Sequence, residues 1–193
     1  MTLALAACSD VEVKPQDPTE LNRFLRKERK EVYRERTSAL TLLPENDVIT
    51  LPETSLPSGA MKFKAKALGD TDAAIDPASV SLGGDGVTRY TLVVRTVRGV
   101  VNVSHEGMRC PTAEWKMYAT GRPDGSWARV PMPRWRKVDL NGTNDVRRIL
   151  AEDVMCDKDG APPKDVATVI ARVRKSNVVV PVRGPMLPTY SDK

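Results

Sequence analysis

Short stretches in which apolar residues recur at every second position lie between residues 61 and 130, and stretches in which they recur at every third or fourth lie between 143 and 175. The first period places alternate side chains on opposite faces of a strand. The second gathers them on one stripe of a helix. Lys62-Phe63-Lys64-Ala65-Lys66-Ala67 alternates and predicts a strand wet on one face. A second strand is expected over Ala78 to Leu82, after Asp76-Pro77. Gly83-Gly84-Asp85-Gly86 supplies residues that accept the positive φ of a hairpin turn. Val87 to Val97 is rich in β-branched residues, with Tyr90, Leu92 and Val94 on one face and Arg89 and Arg95 on the other. Arg98-Gly99 turns the chain into Val100 to Arg109. Glu114 to Ala119 follows, with Trp115 and Met117 on one side. Gly121-Arg122-Pro123-Asp124-Gly125 then turns into Ser126 and Trp127. Short turns between successive strands favour antiparallel neighbours.

The helical period begins after Thr143 or Asn144, either of which can cap a helix carrying Val146, Ile149, Leu150 and Val154 on its apolar face. Pro162-Pro163 opens a second helix with Val166, Val169, Ile170 and Val173 inward. Arg172, Arg174 and Lys175 lie near its C-terminal end, where the helix dipole favours cations. Val178 to Val182 is a further strand candidate, limited by Pro181. Strands followed by helices predict an α+β fold: an antiparallel sheet meander of about five strands, with C-terminal helices packed on one face.

Upstream of the sheet the pattern thins. Residues 19–37 read as a charged helix, capped by Thr19, with Leu21, Phe24, Leu25 and Val32 as a narrow stripe. Its cations (Arg23, Arg26, Lys27, Arg29, Lys30, Arg34, Arg36) are interleaved with glutamates, which favours a solvated helix over a basic binding surface. Residues 38–60 are punctuated by Pro44, Pro52 and Pro57 and read as a connector, with Leu40, Leu42 and Leu43 an edge strand or patch. The expected organisation is a signal remnant and tether (1–18), helix and connector (19–60), an α+β domain (61–176) and an extended tail (177–193).

The chain has 193 residues, 40% hydrophobic and 28% charged, with a formal net charge of +5. No apolar run approaches the ~20 residues that span a bilayer. Leu5-Ala6-Ala7-Cys8 matches a bacterial lipobox, in which a cleft accepts small residues before a cysteine that becomes lipidated. The seven residues before Cys8 are shorter than a signal peptide of about 15–30 residues and carry no charged side chain, so the match reads as a signal without its beginning. Ser9 to Pro18 is polar, as a tether should be, and Ser9 resembles the sorting pattern for an outer membrane. Several acyl chains together hold firmly where one holds weakly. Cys110 and Cys156 remain. In an exported domain they read as one disulfide, closing a loop of about 47 residues and contributing roughly 4 kcal/mol. Buried free thiols in a cytosolic protein are the alternative.

Three segments carry a family resemblance: Ala78 to Tyr90 (ASVSLGGDGVTRY), Asn102 to Cys110 (NVSHEGMRC) and Tyr118 to Trp127 (YATGRPDGSW). The chain resembles the cryptic neisserial protein 1-like family of bacterial envelope proteins over about residues 51–175. His105 stands where the family typically has Tyr, and Thr120 where it often has Phe. The resemblance implies an exported domain and carries no activity with it.

Candidate chemistry is sparse. His105 and Glu106 are adjacent on a strand and point to opposite faces, so they do not act together. Glu106, Arg109, Arg122 and Asp124, with Glu114 nearby, are a candidate polar recognition site if they meet at one end of the sheet. An arginine fork would grip a carboxylate or phosphate there. A structural ion pair beside a tight turn is the simpler account. Trp135 with Arg134, Arg136, Lys137 and Arg129 is a candidate basic and aromatic surface. Trp115 is expected in the core, and Trp135 is open between core and surface. No nucleophile elbow, phosphate loop, zinc motif or dinucleotide fingerprint is present, and no cofactor or metal is expected. The leading expectation is a non-enzymatic, lipid-anchored envelope lipoprotein that binds or helps assemble another envelope protein. An anionic-polymer binder (peptidoglycan, lipopolysaccharide) and a carboxylate-dependent hydrolase are the alternatives. Nucleic acid is not an expected partner.

Overall fold

The expected meander is present, and it is longer than its alternation suggested. Seven antiparallel strands form one sheet: β1 (Met61–Phe63), β2 (Asp72–Leu82), β3 (Val87–Arg95), β4 (Val101–Arg109), β5 (Glu114–Gly121), β6 (Trp127–Arg129) and β7 (Arg136–Lys137). The strands follow chain order from β1 to β6, and β7 pairs with the other end of β5. The computed structural model describes residues 17, 19–21, 23–25, 27–28, 31, 43–46, 48–63, 72–140 and 145–176. Cys8, the tether apart from Asp17, about half of the charged helix, Lys64 to Ala67, the Val178 to Val182 strand and the tail lie outside the described residues.

Five predicted strands are recovered, with β6 and β7 added. β2 begins six residues earlier than expected, because Ala73, Ala74 and Ile75 pair with Val94, Val93 and Leu92 of β3. Its register shifts between Asp76 and Ser81, where Pro77 cannot donate to a ladder. The β2–β3 and β3–β4 turns carry glycines at positive φ, Gly86 at 74° and Gly99 at 80°, a conformation that costs a side-chain-bearing residue.

Two helical segments follow. α1 (Val146–Ile149) runs directly into a π-helical stretch (Leu150–Met155), and α2 (Val166–Ser176) comes after a loop. The cap of α1 is Asp145, whose side chain accepts from the Arg147 amide at 2.9 Å, rather than Thr143 or Asn144. Asp17, rather than Thr19, caps the N-terminal helical residues and accepts from the Thr19 and Glu20 amides. Helical spacing predicts Val146, Ile149, Leu150 and Val154 inward, and all four are buried. The wider π turn adds Ala151 and Met155 to that face. α2 packs on β1, β2 and the π turn.

The main core therefore lies between one sheet face and the helices. Phe63, Ile75, Tyr90, Leu92 and Met108 meet Ile149, Leu150, Val154, Val169 and Val173. The opposite face is covered by residues 43–60, which form a strap. Ser55 is fully buried: its amide donates to the Gly125 carbonyl and its hydroxyl to the Ser126 carbonyl at 3.1 Å. The Trp127 Nε1 donates to the Pro52 carbonyl at 2.9 Å. Gly121 makes room for this, since a Cβ there would sit 2.8 Å from the Ser55 Cβ.

Cys110, just past β4, and Cys156, just past the π turn, form a disulfide with a Cα–Cα separation of 5.3 Å. Both residues are buried in the main core. Replacing both with alanine is expected to lower unfolding stability by about 2–5 kcal/mol, read from the urea midpoint.

Candidate binding groove

Alternation along β4 puts Glu106 on the helix-facing side, opposite Tyr90 of β3. The residue is fully buried. Its carboxylate accepts from Ser104 Oγ at 2.6 Å, Arg147 Nη2 at 2.7 Å and Tyr90 Oη at 3.4 Å. An isolated buried charge would cost several kcal/mol, so the first turn of α1 must bring its cation here. Burial works against the Arg147 charge, and the Glu106 carboxylate more than offsets it, leaving the arginine pKa raised. Arg147 keeps 24% of its side chain exposed. Its guanidinium lies 4.0 Å above the Trp115 ring.

Trp115 opens the first of two neighbouring hollows. β6 leaves β5 after Val130 donates to the Tyr118 carbonyl, and β7 rejoins at Arg136, opposite Trp115. Between them, Pro131 and Pro133 lack the amide donors that would continue the ladder. The loop bows outward and leaves a cavity of about 450 Å³, lined by Trp115, Met117, Met132, Arg134, Trp135 and Arg136, among others. Each tryptophan is flanked by two cations. Arg136 and Arg147 lie over Trp115, and Arg109 and Lys116 over Trp135 at 4.1 and 4.7 Å. Such stacks contribute about 0.5–2 kcal/mol each and hold a planar, cationic surface. The second hollow, about 600 Å³, is lined by Asn102, Ser104, Met117, Thr120, Val146 and Arg147, with Val94 and its neighbours. No carboxylate lines either hollow among the described residues.

The strap face holds a separate polar cluster. Glu45 receives Lys116, the Tyr118 hydroxyl at 2.6 Å and the Trp135 Nε1 at 3.2 Å, while Arg89 stands 4.0 Å away. Burial opposes the Glu45 charge, yet the Lys116 and Tyr118 hydrogen bonds hold its pKa below the ordinary carboxylate range. Arg89 forks onto Asp85 at 2.5 and 3.1 Å. Burial also opposes the Asp85 charge, but that fork and the Asn46 and Val87 amides bring its pKa down to about 2. A bulge opposite His105 and Glu106 makes Tyr118 the extra residue and aims it at Glu45. The buried His105 lies beside Thr91, and burial, then the positive Arg89, push its pKa down to about 4.

The sequence-predicted residues are dispersed. β4–β5 register sets Arg109 opposite Glu114 and Ser104 opposite Thr120, so Arg109 and Arg122 lie about 17 Å or more apart, at opposite ends of the strand pair. Arg122 and Asp124 instead shape the exposed β5–β6 turn: Asp124 accepts from the Ser126 amide and hydroxyl, and Arg122 donates to the Ser126 hydroxyl at 3.3 Å. Glu106 pairs with Arg147, which sequence reasoning passed over. Trp135, Arg134 and Arg136 do come together at one hollow, while Lys137 is drawn to Glu114 at 3.2 Å and the Thr112 carbonyl. Trp115, expected in the core, is half-buried: it packs against the main core and also lines that hollow. Glu45 was also missed. Among the described residues no cluster of three or more His, Cys, Asp or Glu could hold a metal ion, and no helix is long and apolar enough to cross a membrane.

The family model described as CNP1-like matches residues 44–174. The chain belongs to the CNP1-like family. The matched span begins beside Glu45 and ends within α2, so the CNP1-like unit takes in the strap, the sheet, both helices and both hollows. Comparison with curated proteins and with solved structures gives no match.

Two outcomes are expected. Glu106→Gln leaves Arg147 without its counter-charge and is expected to cost about 3 kcal/mol. Adding Arg147→Met should restore part of that loss in urea titrations. For His105, the unfolded chain binds the proton near pH 6.5 and the folded chain only near 4. The unfolded state therefore gains protons first as pH falls, and stability drops between pH 6.5 and 4 by about 3 kcal/mol. Asp85 titrates below that window. His105→Asn should flatten the pH 6.5 to 4 slope of the urea midpoint.

Proposed function

We propose that this CNP1-like protein is a non-catalytic binding module of the bacterial envelope, held through lipidated Cys8 to the outer membrane, the sorting that Ser9 favours, and docking another envelope protein.

 The observation that carries the reading is the pair of tryptophans, Trp115 and Trp135, each flanked by two cations around a hollow with Met117 and Met132. Tryptophan, arginine and methionine are the residues that protein interfaces concentrate at their centres. Met132 stands 75% exposed at the rim, beside the exposed Arg134 and Arg136. The buried Cys110–Cys156 disulfide supports an oxidising compartment, where such bonds persist. Glu106, the carboxylate a hydrolase would need, is sealed under Arg147, which supports a structural role for it. No metal or cofactor enters the proposal.

The same basic rim favours a second reading, binding of an anionic envelope polymer. Arg129 is also exposed, beyond Val130 of the hollow, and adds to that rim. Salt-sensitive binding to heparin or lipopolysaccharide would favour the polymer over the protein partner.

Two measurements test the leading reading. Intact mass from native membranes should give a chain beginning at lipidated Cys8 that gains two hydrogens on reduction. An unlipidated chain retaining Met1, with free thiols, would remove the anchor and the compartment. A photo-cross-linker placed at Met132 should capture one envelope protein reproducibly, and Arg134→Glu with Arg136→Glu should abolish that adduct. No adduct, or one indifferent to the charge reversals, would overturn the docking role.

A further inference from the structure

We infer that the two hollows form a single site for an extended acidic peptide segment, which seats a large apolar side chain between Trp115 and Met132 and a carboxylate, two residues along, at Arg147. This rests on the proposal that the protein docks another envelope protein.

The hollows are contiguous. Met117 lines both, and Arg147 lines the second while stacking on Trp115 of the first. Trp115 and Met117 face the same way on β5, opposite Met108 and Glu106 of β4, and are spaced by about 6.6 Å. An extended peptide repeats its side chains on one face at that same interval. A ligand lying along β5 therefore meets the two hollows with residues i and i+2.

The lining sets the chemistry of each position. The first hollow is walled by two tryptophans, two methionines, Val130 and Pro133, with Arg134 and Arg136 among them. It suits a large apolar side chain, and methionine adapts its shape to the occupant. The second hollow offers Arg147, Asn102 and Thr120, while the buried Ser104 hydroxyl is already donated to Glu106. Among the described residues Glu106 takes the Nη2 of the Arg147 guanidinium and the Nε is buried, so a ligand meets the exposed quarter of that side chain. Glu106 holds the guanidinium in place on one side and Trp115 on another, so little conformational freedom is lost when a carboxylate meets it. The acidic groups around the cations are already engaged: Glu45 with Lys116, Glu106 with Arg147, Glu114 with Lys137, and Asp145, whose charge also acts on Arg147, as the cap of α1. An anionic polysaccharide would satisfy the arginines and leave the apolar wall of the first hollow without a partner.

The test uses the full chain and three fluorescein-labelled ten-residue peptides read by anisotropy: one carrying Phe-Ser-Glu, one Phe-Ser-Gln and one Ala-Ser-Glu. The Phe-Ser-Glu peptide should bind about ten-fold more tightly than either control, with affinity falling as salt rises. Met132→Asp and Thr120→Asp, both at exposed positions, should each weaken it about ten-fold. Lys175→Asp, exposed on α2, should leave it unchanged. Equal affinity for the three peptides, or indifference to both groove variants, would overturn the inference. So would binding of heparin or phosphatidylglycerol vesicles without any peptide binding. If peptides fail while the Met132 cross-link persists, this recognition pattern falls and the docking role stands; loss of the cross-link removes the docking role itself.

Discussion

A carboxylate with no exposed surface, set in the middle of a sheet, constrains whatever packs above it. A carboxylate so placed needs hydrogen-bond donors and a cation in contact with it. Arg147, in the first turn of α1, reaches it at 2.7 Å, with Ser104 and Tyr90 completing the set. That contact fixes where α1 sits along β4. The Asp145 cap, the π turn and Cys156 follow from there, and the disulfide to Cys110 closes the arrangement at the other end of the helical segment. One electrostatic requirement and one covalent bond thus position the layer that covers the main core.

The other face is covered by different means. The described residues of the strap, 43–46 and 48–60, have no regular structure, yet Pro52 and Ser55 hydrogen-bond to β6 and the turn between β5 and β6. A strap of this kind buries little apolar surface, so its hold depends on polar contacts made in a partly dry setting, where each is strengthened. Glu45 is the centre of that hold, with Lys116, Tyr118 and Trp135 around it. Trp135 therefore has two roles: its indole nitrogen secures the strap, while its ring helps to wall the first hollow. Gly107 belongs to the same design, since a Cβ there would lie 2.4 Å from the Tyr118 hydroxyl.

What could be read in advance divides along physical lines. β3 was legible because Tyr90, Leu92 and Val94 make one face apolar, and β4 because it follows β3 after a turn that needs Gly99. α1 was legible at Val146, Ile149, Leu150 and Val154 for the same reason. Its π turn was not, because a change of period over six residues leaves no mark on so short an apolar stripe. Arg147 escaped notice because helical spacing identifies inward apolar residues and says nothing about which polar neighbour stands at the seam. Glu45 was hidden more deeply: a proline-rich segment without period looks like a linker, and its packing is decided by residues some seventy positions away. The grouping of Glu106 with Arg109, Arg122 and Asp124 assumed a shared end of the sheet, whereas register, which short motifs do not encode, separates Arg109 from the Arg122 turn.

The groove is left open by the same choices that stabilise the rest. α2 lies over β1 and β2, and the helical layer is too short to extend across the β5 edge as well. Pro131 and Pro133 keep the following loop from closing the ladder over Met117. Trp115 packs against the main core on one side, but neither it nor Met117 is fully covered by the helical layer. Here they face a cavity, and leaving apolar surface wet costs about 25 cal/mol per Å². Guanidinium groups stacked on both tryptophans reduce that cost, because arginine covers a ring while remaining weakly hydrated. The covering is also charged, so the same stacks that make the exposed rings tolerable line the groove with cations.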